Sequence, residues 1–279
     1  FCAEGLANLL TFACRNNLLT GIQISRNGSA ISHLFFADDS LIFCKANSKE
    51  ASEITRIIQT YELASGQQIN IEKSAVLFSR NTSQANKQEV LQTLRNIQHI
   101  SQAKYLGLPM VIGRSKNSTF RFLKEKMIGK LQGWKGKMLS NAGKEVLLKL
   151  VALALPSYTM SVFKLPDGLC KALSSMMAKF WWGNDQGEKN MHWKKWWDLT
   201  EIKGKGGLGF RDIKCFNEAL LAKQAWRLLT KPELLVSKVM KWKYFPNSSI
   251  LQAKAKSGSS WIWQNIHSAI PLLEDRLRR

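Results

Sequence analysis

The sequence predicts an α+β protein, with short strands in its first part and helices over the rest. Three observations predict it. His33-Leu34-Phe35-Phe36-Ala37-Asp38-Asp39-Ser40-Leu41-Ile42-Phe43-Cys44 is apolar on both sides of a polar break, which reads as strand, tight turn, strand. Asn27-Gly28 between Ile22 and Ile31 is a hairpin signal, because both residues tolerate positive φ. From Phe120 onward the apolar residues switch to helical spacing. The change of period divides the chain into residues 1–112 and 113–279.

Taken in order, Leu6, Leu9, Leu10 and Ala13 predict a helix over residues 1–19, ended by Asn16-Asn17. The Asn27-Gly28 hairpin and the Asp38-Asp39 hairpin follow. Ser48 to Leu63 is a helix capped by Ser48, with Ile54, Ile57, Ile58 and Tyr61 on one face and Ser65-Gly66 as its stop. Ile69, Ile71 and Ala75 to Phe78 read as short strands around a Glu72-Lys73-Ser74 turn. Residues 79–101 read as a polar linker with a modest helix bearing Val90, Leu94 and Ile97. In Tyr105-Leu106-Gly107-Leu108-Pro109, Gly107 permits close backbone approach and Pro109 stiffens the exit.

In the second part, Phe120, Leu123, Met127, Leu131, Trp134 and Met138 form one stripe of a helix over 119–139. Its other faces carry Arg121, Lys124, Lys126, Lys130, Lys135 and Lys137. A second helix, 141–155, buries Val146, Leu147, Leu150, Val151 and Ala154 and stops at Pro156. Phe180-Trp181-Trp182 and Trp193-Lys194-Lys195-Trp196-Trp197 interleave rings with cations. That pattern suits base stacking, and it suits core packing better still. Gly204 to Gly209 lacks the Gly-Lys-Ser/Thr ending of a phosphate loop and reads as a turn. It leads into a helix over Asn217 to Leu229 with a stripe of Ala219, Ala222, Trp226 and Leu229, and Lys223 and Arg227 elsewhere. Leu251 to Ser260 reads as a mobile loop.

Net charge is +21, and it is unevenly spread. Residues 1–118 carry 12 Lys and Arg against 8 Asp and Glu, and residues 119–279 carry 29 against 12, a balance of +17. All ten Trp lie from Trp134 onward. A basic, ring-rich half points to a polyanion partner, since each cation on a phosphate releases counterions; a basic surface that only keeps a helical core soluble fits the same count. The most apolar long stretch, Val146 to Phe163, is broken by Lys149 and Pro156, which argues against a membrane span. Five scattered cysteines, with no Cys-x-x-Cys and no zinc-ligand spacing, read as buried reduced thiols of an intracellular protein that is not secreted.

Asp38 and Asp39 are hard oxygen donors suited to Mg²⁺, and a turn between strands would aim both at one site. A plain Asp-containing turn has the same pattern. Phe36-Ala37-Asp38-Asp39 resembles the catalytic hairpin of reverse transcriptases, in the form found in plant LINE-type (non-LTR) retrotransposons. Ser65-Gly66-Gln67-Gln68-Ile69-Asn70-Ile71-Glu72-Lys73-Ser74 resembles the next palm motif, and Tyr105-Leu106-Gly107-Leu108-Pro109 the primer grip. Leu139-Ser140-Asn141-Ala142-Gly143-Lys144 and Leu155 to Ser161 resemble the thumb side. Phe180-Trp181-Trp182-Gly183 and Gly206 to Asp212 follow in the family's order. The resemblance spans about residues 1–265.

It implies part of a right-hand polymerase palm over 1–112, then a mostly helical thumb and connection region over 113–279. The implied chemistry is RNA-directed DNA synthesis in a full-length parent, with an RNA template, a DNA primer and deoxynucleotides. Two Mg²⁺ ions (or Mn²⁺), roughly 3.5–4 Å apart, would serve it. Asp38 and Asp39 are the implied catalytic metal ligands. Lys73 stands as either a general acid toward the leaving pyrophosphate or a solvated turn lysine. Tyr105, Leu106, Gly107, Leu108 and Pro109 would grip the primer. Lys124, Lys130 and Lys137, read from their place off the apolar stripe, would meet phosphates. The family's earlier palm aspartate and its Gly-Asp-Pro motif lie outside residues 1–279. The chain is therefore expected to be an internal fragment, inactive as a polymerase by itself. A non-catalytic nucleic-acid-binding protein and a decayed transposon fragment are the alternatives. A functional parent would act in the nucleus, and an organellar copy is compatible.

Overall fold

The computed structural model describes residues 2–26, 28–94, 97–134, 137, 139–183 and 191–277. The chain forms two compact units, Phe1–Val111 and Ile112–Arg279. Helices dominate, and the strands among the described residues form three separate two-stranded sheets. The architecture is of the α+β kind.

In the first unit, helix α1 (Cys2–Arg15) carries Glu4 in its first turn and Arg15 in its last, both favourable to the helix dipole. Asn17, at φ 58°, closes it: the Leu18 amide donates to the Ala13 carbonyl at 2.9 Å and the Asn17 amide to Cys14 at 3.1 Å. After an isolated antiparallel bridge between Ile22 and Ile31, strands β1 (His33–Phe36) and β2 (Asp39–Ile42) pair as a hairpin. Asn27, half of the expected turn pair, lies outside the described residues. Helix α2 (Ser48–Ser65) is capped by Asn47, not by Ser48. The Asn47 side chain accepts from the Glu50 amide at 2.8 Å while its own backbone is still extended. Gly66, at φ 71°, stops the helix as expected.

Leu6, Leu10, Ala13 and Leu19 meet Ile54 and Ile57 in one core, and Phe35 and Ile42 of the hairpin pack against it. Buried Glu50 binds this corner together. It accepts from the Thr20 hydroxyl at 2.6 Å, the Thr20 amide at 3.2 Å and the Lys45 amide at 2.9 Å. Those donors satisfy the buried side-chain oxygens. A 3₁₀ turn (Ile71–Lys73), strand β3 (Ala75–Val76), helix α3 (Gln84–Thr93) and strand β4 (Gln98–His99) follow, β3 and β4 being parallel. Strands β5 (Lys104–Tyr105) and β6 (Leu108–Pro109) form a second hairpin.

The second unit begins with α4 (Lys116–Thr119) and α5 (Arg121–Trp134). The expected stripe is buried at Phe120, Leu123, Met127 and Leu131. The helix ends at Trp134, so Lys137 is not on it, and Lys135 and Met138 lie outside the described residues. Helix α6 (Asn141–Leu147) runs into a π-helical turn over Leu148–Ala152. The burial differs from the expected one. Leu148, Ala152 and Leu153 are inside, whereas Val146 is 53% and Leu150 71% exposed and Ala154 is also outside. Val146, Leu150 and Ala154 fall at four-residue spacing on one exposed row, and Leu148 and Ala152 on the buried one.

Helices α7 (Ser157–Met160), α8 (Asp167–Trp182) and α9 (Trp196–Thr200) follow, with α8 packed on α5 and α6. A 3₁₀ turn, Lys203–Lys205, then leads through the glycines. Gly206 and Gly209 have φ 83° and 69°, and a Cβ on Gly207 would stand 2.1 Å from the Glu201 carbonyl oxygen. Helix α10 (Ile213–Thr230) starts four residues before the expected one, at an Asp212 cap. Its buried face is Ile213, Asn217, Leu221, Ala222, Ala225 and Leu228, so the expected inward Ala219 and Trp226 are exposed.

Helices α11 (Leu235–Tyr244), α12 (Trp261–His267) and α13 (Ile270–Leu277) complete the unit. Trp263, fully buried, stacks on Tyr244 at 4.7 Å with the planes 3° apart. Residues 251–260 read as a mobile loop, but the structure ties both ends. The Tyr244 hydroxyl meets Ser260 Oγ at 2.6 Å, and His267 Nε2 lies 2.8 Å from the Ala253 carbonyl oxygen. The cysteines also depart from expectation. Cys170 is buried, but Cys44 and Cys215 are exposed, and Cys14 is half-buried. No helix among the described residues is long and apolar enough to cross a membrane.

Candidate active site and nucleic-acid interface

The β1–β2 hairpin pairs His33 with Ile42, Leu34 with Leu41, Phe35 with Ser40 and Phe36 with Asp39. Ala37 and Asp38 are therefore its two-residue loop. Ala37 has φ 51°, and Asp38 is not among the positive-φ residues, the sign pattern of a type II′ turn. Directly opposed residues share a face of the ladder. Phe35 and Ile42 pack into the α1–α2 core and anchor the hairpin there. Both acids are exposed, and Phe36 is 61% exposed beside them. The core thus holds the body of the hairpin and leaves the acidic tip in solvent.

Among the described residues, no group of three or more His, Cys, Asp or Glu is arranged to hold a metal ion. Two adjacent carboxylates make an incomplete protein cage. They do suit Mg²⁺, which keeps several waters and takes one or two carboxylates together with substrate phosphates. Asp38 and Asp39 thus fit the ion by donor chemistry and by exposure.

Lys73 ends the 3₁₀ turn, and its amide donates to Asn70 Oδ1 at 3.1 Å. Its side chain is exposed, and no hydrogen bond or ion pair joins it to Asp38 or Asp39 among the described residues. Tyr105 to Pro109 form the β5–β6 hairpin, with Tyr105 opposite Leu108 and Lys104 opposite Pro109. Leu106 at φ 50° and Gly107 at φ 76° carry the sign pattern of a type I′ turn. A Cβ on Gly107 would meet nothing within 4 Å, so its role is the left-handed backbone and not a close approach within the chain.

The second unit holds 31 Lys and Arg against 12 Asp and Glu, a balance of +19. Its ion pairs among the described residues engage Arg121, Lys149, Lys164, Lys203 and Lys214. Lys124, Lys130 and Lys137 belong to none of them. Lys130 and Lys137 are exposed and Lys124 half-buried. Glu145 is held below the usual carboxylate range by hydrogen bonds from Lys149 at 2.7 Å and from Lys203. Lys149 also donates to the Leu208 carbonyl at 2.6 Å, which fastens the π-helical turn to the glycine-rich turn. The Glu145–Lys149 pair has the local i,i+4 spacing. What no sequence pattern announced is the reach of Lys203 to Glu145, of Lys149 to Leu208 and of Thr20 to Glu50, partners distant in the chain.

The rings of the Trp-rich segments divide. Trp181 and Trp196 pack on buried Phe210, Trp196 stacked at 5.0 Å and Trp181 edge-on at 5.5 Å. Trp193 and Trp197 stay exposed. Core packing thus accounts for Trp181 and Trp196 and leaves Trp193 and Trp197 in solvent.

No family model matches the chain. Over 128 residues it is 41% identical to an uncharacterized mitochondrial protein of Arabidopsis thaliana, a match that covers 46% of this chain and 83% of that relative. Over 158 residues it is 33% identical to an Arabidopsis thaliana protein named "Putative ribonuclease H protein". That match covers 55% of this chain and 26% of the relative.

Proposed function

The chain belongs to the family of the uncharacterized Arabidopsis thaliana mitochondrial protein. From that premise and the Asp38-Asp39 hairpin we propose that it is a portion of a plant LINE-type retrotransposon reverse transcriptase. In this reading the first unit contributes part of the polymerase palm and the second handles nucleic acid as thumb and connection. The carrying observation is the hairpin. It has a two-residue loop, a core anchor through Phe35 and Ile42, and both carboxylates exposed at the tip. A relative named for ribonuclease H, matched over about a quarter of its length, suits an element with polymerase and ribonuclease H regions in one chain.

Asp38 and Asp39 would hold Mg²⁺, which supplies charge stabilisation to the primer 3′-hydroxyl and to the leaving pyrophosphate. The chain's own residues position the substrates. The β5–β6 turn would lie against the primer end, and the cations of the second unit would neutralise the backbone phosphates. Lys73, exposed on its turn, would approach a leaving pyrophosphate as a proton donor. The mitochondrial relative favours an organellar copy of the element, with the nucleus as the site of action of an active parent.

The test is primer extension on an RNA template by the full-length element, with and without Asp38→Asn. The variant should lose extension by several orders of magnitude and retain template affinity within about threefold, because an exposed Asp contributes little to folding. Extension that survives the substitution would remove Asp38 from the metal site.

A further inference from the structure

We propose that the groove at the C-terminal end of α8 is a stacking site for an unpaired base of single-stranded nucleic acid. The proposal rests on the nucleic-acid role just given to the second unit and adds a site and a strand preference to it. The groove has a volume of about 690 Å³ and is lined by Trp181, Trp182, Trp193, Lys144 and Lys194 among others. Its size lies within the ~300–1,000 Å³ usual for small-ligand sites.

The walls are aromatic. Trp181 and Trp182 stand edge to face, with ring centroids 6.4 Å apart and planes at 79°. Trp182 stacks on His192 at 6.2 Å. Trp193 is 78% exposed, unlike Trp196, whose ring is taken up by Phe210. A base can stack on such an indole whatever its identity, since every base has a π face.

The rim is cationic and fixed in place. Lys144 Nζ donates to the Gly183 carbonyl at 2.9 Å, and Lys194 Nζ to the Gly206 carbonyl at 3.2 Å. An ammonium has three donors, so each lysine keeps others for a phosphate oxygen beside the stacked base. Neither belongs to an ion pair among the described residues. The +19 balance of the unit makes a polyanion the complementary occupant. In a duplex the base faces are stacked on one another and unavailable, so a groove that works by stacking selects the single strand.

The experiment is fluorescence anisotropy on the full 279-residue chain, with a short labelled oligothymidylate and a blunt duplex of equal length. Trp193→Ala should weaken single-strand binding about tenfold or more, leave duplex binding within about twofold, and leave the salt slope and the melting curve unchanged. Trp193→Phe should restore most of the loss. An unchanged single-strand affinity, or an equal loss on the duplex, overturns the groove and leaves the wider nucleic-acid reading standing. A wild-type chain that binds neither probe sinks that wider reading, and the groove with it.

Discussion

Phe36 and Asp39 are cross-strand partners at the last rung of the β1–β2 ladder, and the two residues between them turn the chain with Ala37 at φ 51°. A left-handed φ in a non-glycine residue carries strain, and a β-branched side chain carries more. Ala37→Val should destabilise the hairpin by about 1–3 kcal/mol, whereas Ala37→Gly should stay within about 1 kcal/mol of wild type. Hydrogen exchange at the Phe43 amide, which donates to the Ser32 carbonyl at 2.7 Å next to the ladder, reads the difference directly. Equal protection in the two variants would mean that the turn is not under strain.

The carboxylates at this tip make a metal prediction that does not depend on catalysis. With two adjacent carboxylates and no third acid grouped with them among the described residues, ion binding should be weak. Paramagnetic Mn²⁺ should broaden the amide signals of Asp38, Asp39 and Ser40 before those of α2. Asp38→Asn together with Asp39→Asn should remove that broadening, and added chelator should reverse it. Broadening that persists in the double variant places the ion elsewhere.

For the basic unit, changing Lys124, Lys130 and Lys137 together to Gln should flatten the log–log salt slope of nucleic-acid binding by about two to three units. Gln keeps good helix propensity, so α5 should survive the change. Lys137 lies beyond the end of α5, so the triple variant samples both the helix and the segment after it. Identical slopes for wild type and variant would make these lysines solubilising groups only.

The hairpin, α2 and α5 are legible in the sequence because each has a local signature: an apolar–polar–apolar break, a Ser-Gly stop, a stripe at three- and four-residue spacing. Val146 and Leu150 are not, because residues 146–155 are apolar on nearly every face, so no period singles out the row that Leu148 and Ala152 bury. Trp226 escapes for a different reason. The rotation of α10 is set by buried Asn217, whose partners lie more than fifty residues earlier in the chain. Of the candidate site, residue types and turns are readable. The exposure of Asp38 and Lys73 fits the turn readings, whereas the packing of Phe35 and Ile42 on the α1–α2 core has no local signature.

Asn217 gives the sharpest stability prediction. Its Oδ1 accepts from the Leu165 amide at 2.7 Å, and its Nδ2 donates to the Met160 and Phe163 carbonyls at 2.8 and 2.9 Å. Asn217→Leu would leave three buried backbone groups without partners, at a total cost of about 3–5 kcal/mol. Asn217→Asp would keep the acceptor and lose both donors, so it should also be severe. A urea midpoint within error of wild type for both variants would show that α10 is held by its apolar face alone.

The last prediction concerns Cys170, buried on α8. Burial first, then the nearby charges of Asp167 and Asp212, push its thiol up from 9.0 to about 11. The thiol is therefore harder to ionise in the folded chain than in the unfolded one. Its contribution to stability is complete below about pH 9 and is lost as pH rises through about 11. A rise of that size corresponds to roughly 2–3 kcal/mol once both states are ionised. Urea titrations across that window should show stability falling more steeply for wild type than for Cys170→Ala, although the variant starts lower for lack of the sulfur's packing. Below pH 9 the thiol should also resist alkylation in the folded chain and react promptly in urea. Parallel pH profiles for the two proteins would mean that Cys170 titrates alike in both states and contributes nothing to the alkaline limit.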